Sequence, residues 1–366
     1  MGWTAVQLAP AANYNLQSLY FHIDPKQKIV YNIIVYNVPE GGAAVLYGNE
    51  SMLSALRRMT EGNRLAQCLL FYGDKGLGKK AIAKWFAQRL LCSCVGDKPC
   101  GKCKNCRTIE KNVHPDVIWV PHSGKLQGFS VETVRSVCSE AVIAPNSGDR
   151  KIYIFDDCDR MDVRAQNILL KIIEEPPAFT YFIFTAGSRQ ALLPTIISRL
   201  VPFAVSSCSE AEALTALSNM GFMQEDAQEA VAAFHGNIGR CIGFLEDENV
   251  KQMVSLTKEA VRCIIDKREY DLLRIFYDAG KDRDSVRWML HNLELVFRDA
   301  LVFRLGQDIS GIGCDPVGAG MLAGRLSAAK GQHYHKCIGK AYEAVDANVN
   351  LQLVLSALCA ELMGGK

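Results

Sequence analysis

Apolar residues recur along this chain with two different spacings, and the change from one to the other divides it. Residues 68–72 form a short unbroken apolar run, followed by a glycine-rich stretch and then by 81–91, whose apolar positions return at helical intervals. This order predicts strand, turn and helix. The same alternation continues with a short apolar run at 116–120, helical spacing over 131–144 ended by Pro145-Asn146-Ser147-Gly148, and an apolar run from Lys151 into Asp156 and Asp157. Helical spacing resumes over 161–175 up to Pro176-Pro177, and 181–185 is a further buried-strand run. Strands alternating with helices predict an α/β fold with a parallel sheet covered on both faces. From Ser209 onward only helical spacing remains: short helices over 210–220 and 224–235, a third opened by Gly236-Asn237-Ile238-Gly239-Arg240, and longer amphipathic segments after about Glu248. Upstream, Met52, Leu53, Leu56 and Met59 have helical spacing, and 29–36 reads as a strand followed by a Pro-Glu-Gly-Gly turn, with no role that the residues reveal.

The glycine-rich stretch, Gly73-Asp74-Lys75-Gly76-Leu77-Gly78-Lys79-Lys80, is a phosphate-binding P-loop in its required context. Glycines let backbone N–H groups converge on an anion, and the helix that follows adds its positive end. Lys79 stands where the phosphate-reaching lysine belongs. The next position normally carries Ser or Thr, whose hydroxyl ligates Mg²⁺. Here it is Lys80, and an ammonium repels the ion that it replaces. Asp156 and Asp157 end an apolar strand in the Walker B manner, where the first carboxylate holds Mg²⁺ and the second, usually Glu, polarises water. Asp157 is one methylene short for that task. Lys80 and Asp157 together argue against ATP hydrolysis by this chain, while the sequence leaves open whether the loop binds ATP with Mg²⁺. Thr185, placed at a strand end, is a candidate polar sensor of phosphate, or a strand residue that caps a turn.

At 366 residues, 22% charged and with a formal net charge of +2, the chain suggests two or three globular domains and gives no whole-chain case for nucleic-acid or membrane binding. No signal sequence and no membrane-spanning apolar segment is expected, which points to the cytoplasm. Of fourteen cysteines, nine are scattered singly; the other five are Cys92, Cys94, Cys100, Cys103 and Cys106. Two Cys-x₂-Cys steps sharing Cys103, with one more cysteine upstream, place four thiolates around one ion. That set suits a closed, structural Zn²⁺ site. An iron–sulfur cluster is the competitor, but the cysteine and proline that such a run needs further on are replaced by Arg107-Thr108-Ile109-Glu110. The first ligand is open between Cys92 and Cys94, with His114 a weaker alternative.

In order along the chain, the P-loop, the cysteine block, Leu169-Leu170-Lys171-Ile172-Ile173-Glu174-Glu175-Pro176-Pro177 and Pro194-Thr195-Ile196-Ile197-Ser198-Arg199 resemble bacterial clamp-loader subunits of the AAA+ class. Asn348-Val349-Asn350-Leu351-Gln352-Leu353 also looks like their collar helices. The resemblance runs from about residue 45 to the end and is closer to the delta-prime branch of DNA polymerase III than to the ATP-hydrolysing gamma/tau branch.

It implies an AAA+ P-loop domain with a zinc module over 44–206 (module about 92–106), a helical lid domain over 207–249 and an all-α collar domain over 250–366; segment 1–43 has no recognisable counterpart. It also implies that Cys92, Cys100, Cys103 and Cys106 are the zinc ligands, with Cys94 as a possible substitute for the first. Arg199 would be an arginine finger reaching a neighbouring subunit's ATP site, unless it pairs with a carboxylate at a helix end. Gly73, Gly76, Gly78, Lys79, Lys80, Asp156, Asp157, Thr185 and Arg240, the last matching a lid sensor arginine, would form a degenerate nucleotide site. Expected partners are gamma/tau and delta subunits through the collar, the sliding clamp, and primed DNA within the assembly, with no membrane. Any nucleotidyltransferase activity would belong to the polymerase holoenzyme. The absence of a long extension after the collar argues against tau. Two other readings stay open: an active gamma-type motor that tolerates Lys80, and a zinc-dependent nucleic-acid-binding module, suggested by Lys98, Lys102, Lys104 and Arg107 around the thiolates.

Overall fold

A computed structural model of the chain describes residues 46–62, 65–123, 128–306 and 311–364. The segment 1–43 and the strand expected over 29–36 lie outside the described residues. Five strands, β1 (Cys68–Tyr72), β2 (Val117–Trp119), β3 (Lys151–Phe155), β4 (Thr180–Ala186) and β5 (Val201–Ala204), form one parallel sheet in the order β2-β3-β4-β1-β5. Alternate residues of each strand serve different cores, as the two-residue period of a strand requires. Leu70, Tyr153, Phe155, Phe182 and Phe184 pack on one side; Leu69, Phe71, Ile152, Ile154 and Ile183 pack on the other. Ring stacking ties β3 to β4, with Phe155 and Phe184 centroids 5.0 Å apart and Tyr153 and Phe182 5.7 Å apart.

Among the described residues, six helices belong to this part: α1 (Glu50–Glu61), α2 (Lys79–Leu91), α3 (Lys104–Glu110), α4 (Val131–Glu140), α5 (Val163–Glu174) and α6 (Pro194–Ile197). Two boundaries differ from the periodicity. α4 stops at Glu140 rather than running to Ala144, because the carbonyls beyond it are taken by other elements: Lys151 Nζ donates to Glu140 and Ile143, and the Thr180 hydroxyl donates to Ala141 at 2.7 Å. α5 starts at Val163, after a 3₁₀ turn over Cys158–Arg160, because Asp162 caps it by accepting from the Arg164 N–H at 2.7 Å. β5, Val-Pro-Phe-Ala, was not anticipated. Among the described residues it is an edge strand paired only with β1, a place where Pro202 loses no ladder bond that the sheet needs.

Asp116, just before β2, is fully buried and fixes the 146–147 turn that leads into β3. Its carboxylate accepts from the backbone and side chains of both Asn146 and Ser147. Burial pushes its carboxyl up, but these donors outweigh burial and hold it below the ordinary value of 3.8. Its stabilising contribution is therefore complete above that value and lost as pH falls through the folded pKa. Asp116→Asn turns an acceptor into an –NH₂ facing donors and is expected to cost about 2–3 kcal/mol in urea unfolding at pH 7.

Beyond the sheet the chain is helical. α7 (Glu210–Asn219), α8 (Gln224–Phe234) and α9 (Ile238–Glu246) bury Leu217, Val231, Phe234 and Phe244 in one core. A separate core, with Phe276, Leu290, Leu293, Phe297 and Leu358, is built by α10 (Glu248–Asp266), α11 (Glu269–Ala279), α12 (Arg283–Arg304), α13 (Pro316–Ala323), α14 (Ala328–Asp346) and α15 (Leu351–Gly364). Among the described residues no helix is long and apolar enough to cross a membrane.

Candidate functional site

The loop between β1 and α2 leaves the carboxyl end of the sheet, where open α/β sheets bind ligands. Gly73, Gly76 and Gly78 have φ of +150°, +90° and +84°. At Gly76 a Cβ would stand 2.4 Å from Asn237 Oδ1, so glycine is needed for the close approach as well as for the backbone angle. The sheet order puts β4 between the P-loop strand and β3, which brings the loop, Thr185 and Asp156 to one edge.

The lysines are used internally. Lys79 Nζ donates to the carbonyls of Gly73 at 2.6 Å and Asp74 at 2.8 Å, folding back into its own loop. Burial lowers its pKa, partly offset by Asp159, Asp157, Asp74 and Asp156. Lys80 Nζ lies 2.8 Å from Asp156 Oδ2 and 5.3 Å from the centre of the Trp119 ring. The other oxygen, Asp156 Oδ1, accepts from the Thr185 hydroxyl at 2.7 Å. Both oxygens of the carboxylate that would hold Mg²⁺ are therefore engaged by the protein, one of them by the residue standing in the metal-ligand position. This donor set does not fit a Mg²⁺-bound triphosphate.

Thr185, a candidate phosphate sensor or turn-capping strand residue, has its hydroxyl engaged by the two aspartates. It lies inside β4 and is 1% exposed, and its oxygen accepts from the Asp157 N–H at 2.8 Å, so it positions the two aspartates. Asp157 adopts a left-handed backbone, φ +56°. Burial raises its pKa, with further contributions from a hydrogen bond with Asp159 and that residue's charge.

The helical part reaches the loop through Arg240, the expected lid arginine, and through contacts of Asn237, Gly239 and His291, for which no role was expected. Asn237 caps α9 by accepting from the Arg240 N–H at 3.2 Å and donates to the Lys75 carbonyl at 2.9 Å. The Gly239 N–H donates to the Gly76 carbonyl at 3.1 Å. The Arg240 guanidinium lies 3.7 Å from Asp74 and bonds His291 of α12. Burial and the Arg240 cation push His291 down to about 4, so at neutral pH its ring is uncharged and accepts from the arginine. Arg240 thus ties the P-loop to two helical elements. A groove against the P-loop, lined by Leu46, Tyr47, Gly48, Leu53, Gly78 and Ile82, has about 10 Å³ of space.

Arg199 follows α6 and pairs with Glu174, the last residue of α5, through its Nε at 2.8 Å and one terminal nitrogen; the other donates to the Thr195 carbonyl at 2.7 Å. The alternative considered for it, a carboxylate at a helix end, is its arrangement in the isolated chain. The pair stays partly exposed, with side chains 32% and 47% accessible.

In the cysteine block the sulfurs of Cys92, Cys100, Cys103 and Cys106 all lie within 4.8 Å of one another. Cys94 approaches Cys100 at 3.4 Å but does not belong to that mutual group. His114 is buried and accepts from the Asp116 N–H at 3.1 Å, away from the sulfurs' group. Backbone N–H groups of Cys103 and Cys106 point at the sulfurs of Cys100 and Cys103, at 3.3 and 3.4 Å. Burial pushes the Cys103 thiol up, but N–H donors, Cys106 first, bring it down to about 6. Four converging sulfurs with thiolate-stabilising donors fit a tetrahedral Zn²⁺.

A family model described as "DNA polymerase III, delta subunit" matches residues 48–209. The DNA polymerase III subunit delta' of Haemophilus influenzae is 30% identical over 228 residues, covering 61% of this chain and 68% of that protein. The tau/gamma subunit of the same organism is 33% identical over 170 residues, 46% of this chain but only 24% of that protein. Among solved structures, a gamma subunit-related protein of Thermotoga maritima is similar with a TM-score of 0.43 at 15% identity, covering 84% of this chain and 98% of its own.

Proposed function

Because this chain belongs to the AAA+ clamp-loader subunit family of bacterial DNA polymerase III, we propose that it is a delta-prime-like subunit that does not hydrolyse ATP itself. It supplies Arg199 in trans to a neighbouring motor subunit and helps load the sliding clamp on primed DNA during replication. The observation that carries this reading is the Lys80–Asp156 pair at 2.8 Å, in which a side-chain ammonium takes the place of a catalytic metal ion. Lys79, turned into its own loop, supports it further. Without a metal bridging the phosphates, a triphosphate in this loop lacks the divalent charge that offsets what develops during transfer.

The proposed organisation is a P-loop domain over 44–206 with its zinc module, a lid over 207–249 and a collar over 250–366. An apolar stripe on the collar supports association there with gamma/tau and delta subunits. Tyr270, Leu273 and Tyr277 recur along α11 and are exposed, and so is Leu353 on the neighbouring α15. Exposed aromatic and aliphatic side chains in such a row mark a surface that a partner covers.

The test is calorimetric titration of ATP into the purified chain, with and without Mg²⁺. The wild type is expected to show no Mg²⁺-dependent binding. Lys80→Thr frees Asp156 and restores a hydroxyl ligand, so binding with Mg²⁺ should become at least about tenfold tighter than without it, a gain of about 1.4 kcal/mol. Turnover should stay absent, since Asp157 remains short. Tight Mg²⁺-dependent binding and turnover by the wild type would instead identify a gamma/tau-type motor, a reading that the identity to the tau/gamma relative keeps in view.

A further inference from the structure

Away from the P-loop and the cysteine block, α14 and α15 bring three different metal-binding donors to one point. The two helices are joined by a buried bond from the Tyr334 hydroxyl to the Leu362 carbonyl at 3.0 Å. His333 and Cys337 are four residues apart on α14 and share one face of it. Glu361 comes from α15. His333 Nε2 is 3.5 Å from Cys337 Sγ and 3.5 Å from Glu361 Oε2, and that sulfur and oxygen are 3.9 Å apart. A tetrahedral ion with metal–nitrogen and metal–oxygen bonds of about 2.1 Å and a metal–sulfur bond of about 2.3 Å sets its ligand atoms roughly 3.4–3.6 Å apart. The three atoms already form that triangle to within a few tenths of an ångström.

We propose that His333, Cys337 and Glu361 form a second metal site, which binds a borderline divalent transition metal of the zinc class and staples α14 to α15. Imidazole, thiolate and carboxylate together suit zinc; Mg²⁺ and Ca²⁺ require oxygen ligands. Cys337 is 5% exposed and anchors the site, whereas the side chains of His333 and Glu361 are 40% and 54% accessible and give the ion a way in. With three protein ligands the fourth position belongs to water, unlike the closed four-sulfur block. His333 Nε2 also lies 3.3 Å from the Glu361 carbonyl, a hydrogen bond that an ion would replace.

The experiment uses the full chain with zinc already in the cysteine block, titrated with Co²⁺ alone. One further equivalent is expected, with a thiolate-to-cobalt charge-transfer band and the visible bands of a low-coordinate ion. His333→Ala and Cys337→Ser should each weaken binding at least about tenfold, since losing a direct ligand costs no less than losing a supporting one. Cys337→Ser should also abolish the charge-transfer band. Zn²⁺ should raise the melting temperature of the wild type but not of either variant. A wild type that takes up no further equivalent overturns the site, whatever the variants do. A band that persists in Cys337→Ser belongs to exchange in the cysteine block and overturns it equally.

Discussion

Arg199→Ala should lower the DNA-stimulated ATP turnover of a reconstituted clamp-loader assembly by about 10³-fold, the effect of withdrawing an arginine finger from a phosphoryl-transfer site. The isolated chain holds this guanidinium on Glu174, yet that pairing does not argue against the role. A partly exposed ion pair is worth about 0–1 kcal/mol, so exchanging it for a neighbour's phosphates costs little. For the same reason the variant should unfold within about 1 kcal/mol of the wild type and still assemble. Arg199→Lys should fail almost as badly, because a point charge cannot bridge two phosphate oxygens as a planar fork does. Glu174→Ala separates the two roles: it removes the resting partner and should leave turnover intact or raise it. The measurement is steady-state ATPase with clamp and primed DNA, alongside size-exclusion chromatography. Unchanged turnover in an assembled Arg199→Ala complex would refute the trans role.

The strands and the P-loop were legible because period and glycine spacing are local properties. Lys80 was legible as an anomaly, but its consequence was not. Its partner Asp156 is distant in the chain, and the two meet only because the sheet places β4 between β1 and β3. Thr185 was placed at a strand end, and one more residue of ladder, Ala186, turned it into a buried positioning group. The contacts of Asn237, Gly239 and Arg240 on the loop, and of His291 on Arg240, depend on packing between helices and sheet that no residue spacing encodes. β5 escaped notice because four residues with a proline carry no period. The His333–Cys337 spacing was readable as two donors on one helical face, but Glu361 joins them only through the packing of α14 on α15.

The cysteine block should depend on its metal for structure. Between Cys92 and Cys103 there is no helix or strand, and α3 has seven residues, too few to be stable alone. The segment is tied to α2 by one buried apolar side chain, Ile109, and by polar contacts, among them Gln88 donating to the Cys106 carbonyl at 3.0 Å and Asn105 to the Leu91 carbonyl at 2.7 Å. These cannot offset the ordering entropy of so much irregular chain. A bound zinc ion would supply the difference, on a scale of about 10 kcal/mol for a structural site near neutral pH. Cys106→Ser should therefore release zinc and expose the amides of 92–110 to hydrogen exchange, while the buried strands β1, β3 and β4 stay protected. Cys92→Ser should do the same and Cys94→Ser should retain the ion, because only Cys92 completes the mutual sulfur group. The reverse outcome would exchange the two assignments. Zinc uptake must also displace protons. The Cys103 thiol, at about 6, is largely ionised at neutral pH, but Cys106 is held protonated by burial and its bond with Cys103. Affinity should accordingly fall as pH is lowered, measured as zinc released to a colorimetric chelator, and most steeply below about 6, where Cys103 too must give up a proton to bind.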